Sequence, residues 1–257
     1  MSSGTYGRYV ALGDSQTEGL WDGDDENGLR GWADRLAGQL AELNPELHYA
    51  NLAVRGRLAH QVRAEQLDAA LALEPDLATV VAGMNDLLRP GFDADAVAGE
   101  LEHMFAALTD AGATVATLTF PDVAKLVPIA KPLTHRVVSL NARIHEAAVR
   151  HGVAILETFH HPVTTDPRIW SPDRLHASPL GHERIAAGMA YALGLPGSSA
   201  DWREPLPPLP SSGSMHFTKT ELWWLASFLG PWIGRRVRGR SSGDGRAPKR
   251  PDLTPAR

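Results

Sequence analysis

The feature that most constrains this chain is an alternation. Apolar runs of strand length occur at 9–12, 47–52, 77–82, 113–120 and 153–156. Between and after them lie segments of helical periodicity at 32–43, 58–73, 95–110, 133–150 and 178–193. In the first of these, Trp32, Leu36, Leu40 and Leu43 recur at the spacing of one helix face. Gly152 and Gly194 follow the last two segments as C-terminal stops, and Ser178-Pro179 supplies an N-cap with proline at the first helical position. Strands alternating with helices imply a mainly parallel sheet with helices on both faces. The expectation is an α/β fold built on a five-stranded sheet. Such sheets bind ligands outside the carboxyl ends of their strands, so the residues just after each strand are the candidates for chemistry.

Those residues are polar and varied. The first strand runs into Gly13-Asp14-Ser15, the second reaches Asn51 with Gly56 in the loop beyond, and the third ends at Gly83-Met84-Asn85-Asp86. After the fifth, the loop "WSPDRLHASPLGH" brings Asp173 and His176. Ser15 alone reads equally as a turn residue or helix N-cap. With the other ends in view it reads as a nucleophile. A serine hydroxyl needs a base within hydrogen-bond reach, histidine is the usual base, and a carboxylate three residues away can fix its tautomer. Glycine-flanked amides and the Asn85 carboxamide are the donor types that a tetrahedral oxyanion requires.

In four blocks the sequence resembles the SGNH (GDSL) hydrolases: Gly13-Asp14-Ser15 in "GDSQTEG", Gly56 in "NLAVRGR", Gly83-x-Asn85-Asp86, and Asp173-x-x-His176. The resemblance covers about residues 8–195. It implies a flavodoxin-like three-layer α/β/α sandwich. It also implies Ser15 as nucleophile, His176 as base and Asp173 as its orienter, with an oxyanion hole from the Ser15 and Gly56 amides and the Asn85 side chain. No metal or cofactor is implied. The implied reaction is hydrolysis of carboxylic esters of small or medium acyl groups through an acyl-enzyme. An acyltransferase using the same acyl-enzyme and a non-catalytic membrane- or partner-binding module are the alternatives. Asp14 and Asp86 read as braces for the Ser15 turn and the Asn85 loop. Met84, Leu87 and Trp170, beside the site, read as core packing or as lining of an acyl pocket.

The rest of the chain bounds the partners. There is no cysteine, which removes disulfides, cysteine-ligated metals and thiol nucleophiles together. His160-His161 reads as a solvated loop, because neighbouring residues of an extended segment point to opposite sides. His182 reads as a packed or capping residue of the last helix. The N-terminus lacks a basic start followed by a long apolar run, so the expected location is the cytoplasm. Charge is uneven: residues 235–257 hold eight basic residues against two acidic ones in a chain of net charge −5. The acidic body argues against nucleic acid and leaves a small ester as the expected partner. Domain organisation is expected as a hydrolase domain at 1–197, a Pro/Ser-rich linker at 198–213, and an amphipathic helix with a disordered basic tail at 214–257. The segment 215–233, rich in Trp and Leu, reads as a helix docked on the body, a peripheral contact with anionic membrane, or a partner-binding segment.

Overall fold

The computed structural model describes residues 5–208 and 242–257. The chain starts with β1 (Arg8–Gly13) and the short α1 (Ser15–Glu18), followed by a small hairpin of β2 (Gly23–Asp24) and β3 (Gly28–Leu29). Then come α2 (Gly31–Leu43), β4 (His48–Asn51), α3 (Ala59–Ala72), β5 (Leu77–Val81) and the short α4 (Met84–Leu87). They are followed by α5 (Ala94–Asp110), β6 (Thr114–Leu118), α6 (Thr134–His151), β7 (Ala154–Leu156), α7 (Pro179–Ala192) and finally β8 (Arg250–Pro255). The five long helices and five of the strands occupy the segments that periodicity assigns to them. The result is an α/β fold with a mainly parallel sheet flanked by helices.

The sheet corrects the expected strand count. Among the described residues it has six strands in the order β7-β6-β5-β1-β4-β8. The first five are mutually parallel; β8 pairs antiparallel with β4, with His48 opposite Pro255 and Asn51 opposite Arg250. Residues 242–257, expected as part of a disordered tail, are therefore ordered and close one edge of the sheet. "RPDLTP" does not read as a strand because proline cannot donate to a ladder. That restriction still allows an edge strand, which is where β8 lies. Arg250 adds its guanidinium over the Tyr49 ring, 5.0 Å from the centroid.

The expected linker also differs. Ala200–Arg203 forms a 3-10 turn whose Trp202 is buried in the core, so the chain is anchored to the body at this point, while Arg203–Pro205, Pro207 and Pro208 are exposed. The expected helix at 215–233 and the remainder of the linker lie outside the described residues.

β1 sits between β4 and β5 with Tyr9, Val10, Ala11 and Leu12 fully buried, and every residue of β5 is buried as well. Each buried Val or Leu among them contributes about 1.5–3 kcal/mol by leaving water. The helices pack in two groups, α2 with α7 and α5 with both α3 and α6. At the core of the first group His182 of α7 takes the Trp32 N–H on Nδ1 (3.1 Å) and gives its Nε2–H to the Leu20 carbonyl (2.9 Å). Only neutral imidazole can do both. Burial lowers its pKa to about 4.

A prediction follows from the sign of that shift. The unfolded chain binds the proton first, so the stability due to neutral His182 is full above about pH 6.5 and is lost as pH falls toward about 4. Urea denaturation between those values should show wild type losing stability faster than His182→Gln, with a difference in slope of up to about 1.4 kcal/mol per pH unit. Equal slopes would contradict the assignment.

Candidate active site

The central strand delivers Gly13-Asp14-Ser15 to the carboxyl edge of the sheet. A Cβ on Gly13 would lie 2.5 Å from the Val81 carbonyl oxygen, so the turn out of β1 passes too close to β5 for any side chain. Buried Gln66 of α3 holds both sides of that peptide: its Oε1 accepts the Gly13 N–H (2.8 Å) and its Nε2 donates to the Gly13 carbonyl (2.9 Å). Asp14 then caps α1, accepting the Gln16 N–H at 3.2 Å. Ser15 opens the helix, almost fully buried.

Asp173 and His176 come from the loop ahead of α7. Ser15 Oγ lies 2.8 Å from His176 Nε2, and His176 Nδ1 lies 2.7 Å from Asp173 Oδ2. The Asp173 contact fixes the proton on Nδ1, which leaves Nε2 as the acceptor facing the serine hydroxyl. Burial alone would raise the Asp173 carboxyl. The hydrogen bonds from His176, Ser171 and the Leu175 N–H outweigh it and hold the group well below the usual carboxylate range. Trp21 joins them: its indole N–H donates to the same Oδ2 at 2.8 Å. Gln16 brackets the histidine, donating to the Leu175 carbonyl (3.1 Å) and accepting the Ala177 N–H (3.2 Å).

The donor side forms around Asn85 in α4. Its Nδ2 donates to Asp14 Oδ2 (3.0 Å) and to the Arg57 carbonyl (3.2 Å). Asp86 accepts the Ala59 N–H at 3.0 Å and so ties α4 to the start of α3. Gly56 stands at φ 78°, a left-handed turn that suits glycine. The residue before it is held as firmly as the one after it: the Arg55 N–H donates to Glu18 Oε2 at 2.7 Å, and the Arg55 guanidinium reaches Glu18 Oε1 at 2.6 Å. The Gly56 turn is thereby fixed to α1, the helix that carries Ser15.

An apolar cavity borders these groups. Gln16, Met84 and Ala177, neighbours in sequence of Ser15, Asn85 and His176, contribute to its wall, as do Phe120, Ile169 and Trp170. Met84 and Trp170 line this cavity. Leu87 does not: it is buried in the main core, because α4 turns that residue inward.

Comparison with known proteins gives the family of the chain. A family model described as the GDSL-like lipase/acylhydrolase family matches residues 11–184, more than half of the chain. The chain belongs to this family. As a GDSL-family member it is a carboxylic ester hydrolase. Among solved structures it is similar to TesA, with a TM-score of 0.61 at 22% identity over 72% of this chain and 97% of that one. It is also similar to a catalytic mutant of Axe2, an acetylxylan esterase from Geobacillus stearothermophilus (TM-score 0.65, 16% identity, 78% of this chain and 100% of that one). A third is the psychrotrophic esterase EstA from Pseudoalteromonas sp. (TM-score 0.57, 16% identity, 73% and 96%). These likenesses share the GDSL fold. A search of curated protein sequences finds no match.

Sequence reasoning reaches Ser15, Asp173, His176, Asn85, Gly56, Asp14 and Asp86, and the structure gathers all seven around one edge of the sheet. It misses Trp21, Gln66 and the Glu18–Arg55 pair. No local pattern marks these residues, since each acts on a partner remote in the chain.

Asp14 carries a measurable consequence. Burial pushes its carboxyl up to about 6, against the pull of Gln16, His176 and Asn85. The ionised form therefore opposes folding above that pH. Asp14→Asn keeps one of the two acceptors and sets an amide nitrogen where the other oxygen stood, so the pH dependence carries the test: relative to wild type, the variant should gain roughly 1–3 kcal/mol between about pH 4 and pH 8. Chemical denaturation at the two pH values checks this; a difference from wild type of the same size at both would contradict it.

Proposed function

We propose that this GDSL-family chain cleaves carboxylic esters of small or medium acyl groups through an acyl-enzyme on Ser15. The observation that carries the reading is the continuous run of contacts from Ser15 Oγ to His176 Nε2 (2.8 Å) and from His176 Nδ1 to Asp173 Oδ2 (2.7 Å). His176 takes the hydroxyl proton as Ser15 attacks the ester carbonyl. Asp173, already a carboxylate, stabilises the imidazolium that forms. The Ser15 and Gly56 amides and the Asn85 carboxamide receive the developing oxyanion, with the Asn85 N–H that rests on the Arg57 carbonyl turning to it. His176 returns the proton to the alcohol as it leaves. Water then repeats the sequence on the acyl-enzyme. The two helix groups on the sheet support the finer fold reading, a three-layer flavodoxin-like sandwich.

The cavity beside Gln16, Met84 and Ala177 supports an apolar acyl chain as the group held on the acyl side. Acetylxylan, named for Axe2, shows that a chain of similar fold accepts an acetyl ester on a carbohydrate.

Hydrolysis of p-nitrophenyl acetate, butyrate and octanoate tests the proposal. Wild type should turn over, and Ser15→Ala should lose about four or more orders of magnitude in kcat. Asn85→Ala should lose about 10²–10³-fold in kcat with KM nearly unchanged, as removal of an oxyanion donor does. Turnover of wild type no faster than the buffer, or Ser15→Ala as active as wild type, would contradict it.

A further inference from the structure

The C-terminal segment lies outside the family match, which ends at residue 184. It nevertheless returns to the site. A Cβ on Gly243 would lie 2.0 Å from the Arg55 carbonyl oxygen, so the segment rests directly on the backbone that precedes Gly56. Arg246 pairs with Asp25 at 2.7 Å, and Asp25 pairs with Arg55 at 2.8 Å. Arg55 in turn holds Glu18 of α1 at 2.6 Å. Lys249 reaches Asp34 (2.6 Å) and the carbonyls of Leu29 (3.0 Å) and Arg30 (2.9 Å), which fixes the segment to the start of α2. β8 then covers β4, the strand that leads into the Gly56 turn.

We propose that residues 242–257 are a positioning element for the oxyanion-binding turn, holding Arg55 and so the Gly56 amide against the Ser15 helix. The inference rests on the reading of Gly56 as an oxyanion donor. Edge protection is the simpler role for β8, and it explains the strand pairing. It does not explain why the segment makes a backbone contact at Arg55 and a charge relay through Asp25. Asp25 is half exposed, and its carboxyl is held down to about 2, first by Arg246 and then by Arg55. A half-exposed ion pair contributes little to stability. Its effect should therefore appear in the chemical step, where a small displacement of a donor is costly.

Full-length wild type, Arg246→Ala, Arg246→Lys and Gly243→Val separate the two roles. The measurements are kcat and KM on p-nitrophenyl butyrate, thermal midpoint, and hydrogen exchange of residues 52–57. Arg246→Ala should lower kcat about tenfold with KM within about twofold and the midpoint almost unmoved. Arg246→Lys should recover most of that loss by restoring the charge on Asp25. Gly243→Val, which drives a side chain into the Arg55 carbonyl, should lower kcat further, and both Arg246→Ala and Gly243→Val should speed exchange at 52–57. Unchanged kcat and exchange in Arg246→Ala and Gly243→Val would overturn the inference. So would losses that track a falling midpoint and are not recovered by lysine. If wild type itself fails to hydrolyse the ester, the hydrolase reading fails, and the exchange data alone still decide whether the segment holds the turn.

Discussion

Asp14 has its two carboxylate oxygens committed to different elements: Oδ1 takes the Gln16 N–H of α1 and Oδ2 takes the Asn85 side chain of α4. This one buried group couples the helix that presents Ser15 to the carboxamide proposed to meet the oxyanion. The cost is visible in its raised pKa, because burial penalises the charged form more than its hydrogen bonds repay. A carboxylate kept in such a place favours geometry over stability. Asp86 repeats the pattern one residue beyond Asn85, where burial also raises the pKa and the carboxylate is tied to the Ala59 N–H.

Around that centre the site is wired over long distances in sequence. Ser15 and His176 are 161 residues apart, and so are Gln16 and Ala177, whose contact keeps the histidine loop in register. Gln66 grips the Gly13 peptide from 53 residues away. None of these bonds can form until the sheet has assembled, so the chemistry depends on the complete parallel core and not on any local segment. The C-terminal strand extends the same logic: the last residues of the chain reach back to the turn after the second parallel strand. An assembled sheet gives these side chains fixed positions before substrate arrives, so that one Asn85 hydrogen bond, to the Arg57 carbonyl, is exchanged as charge develops.

Much of this is legible in the sequence, for identifiable reasons. The parallel strands declare themselves because most of their residues are buried, which makes them apolar-rich runs of strand length. The helices declare themselves by periodicity and by their glycine and serine ends. The proposed triad is readable because Ser15 follows the first strand, Asp173 and His176 lie in the loop after the last parallel one, and all three repeat the blocks of a known family. β8 is not readable, since its prolines and charges are those of an edge and its pairing is decided by β4. Trp21 and Glu18 are not readable either: their roles exist only through Asp173 and Arg55, and nothing in their neighbourhoods names those partners. In the sequence Leu87 is open to two readings, core packing or pocket lining. It lies two residues beyond Asn85, which along a helix turns a side chain by about 200°, and it packs in the core.

The central claim is that Ser15 is the covalent nucleophile, made reactive by His176. It is tested most directly by incubating the full-length protein with a p-nitrophenyl alkylphosphonate and locating the modified residue by peptide mass spectrometry. Attack by Ser15 Oγ at phosphorus displaces p-nitrophenolate and leaves a stable tetrahedral adduct in place of the acyl-enzyme. The account predicts one adduct per chain, on the peptide that carries Ser15, and its loss in His176→Ala. An adduct on another serine, or no adduct with a protein that still hydrolyses esters, would contradict it.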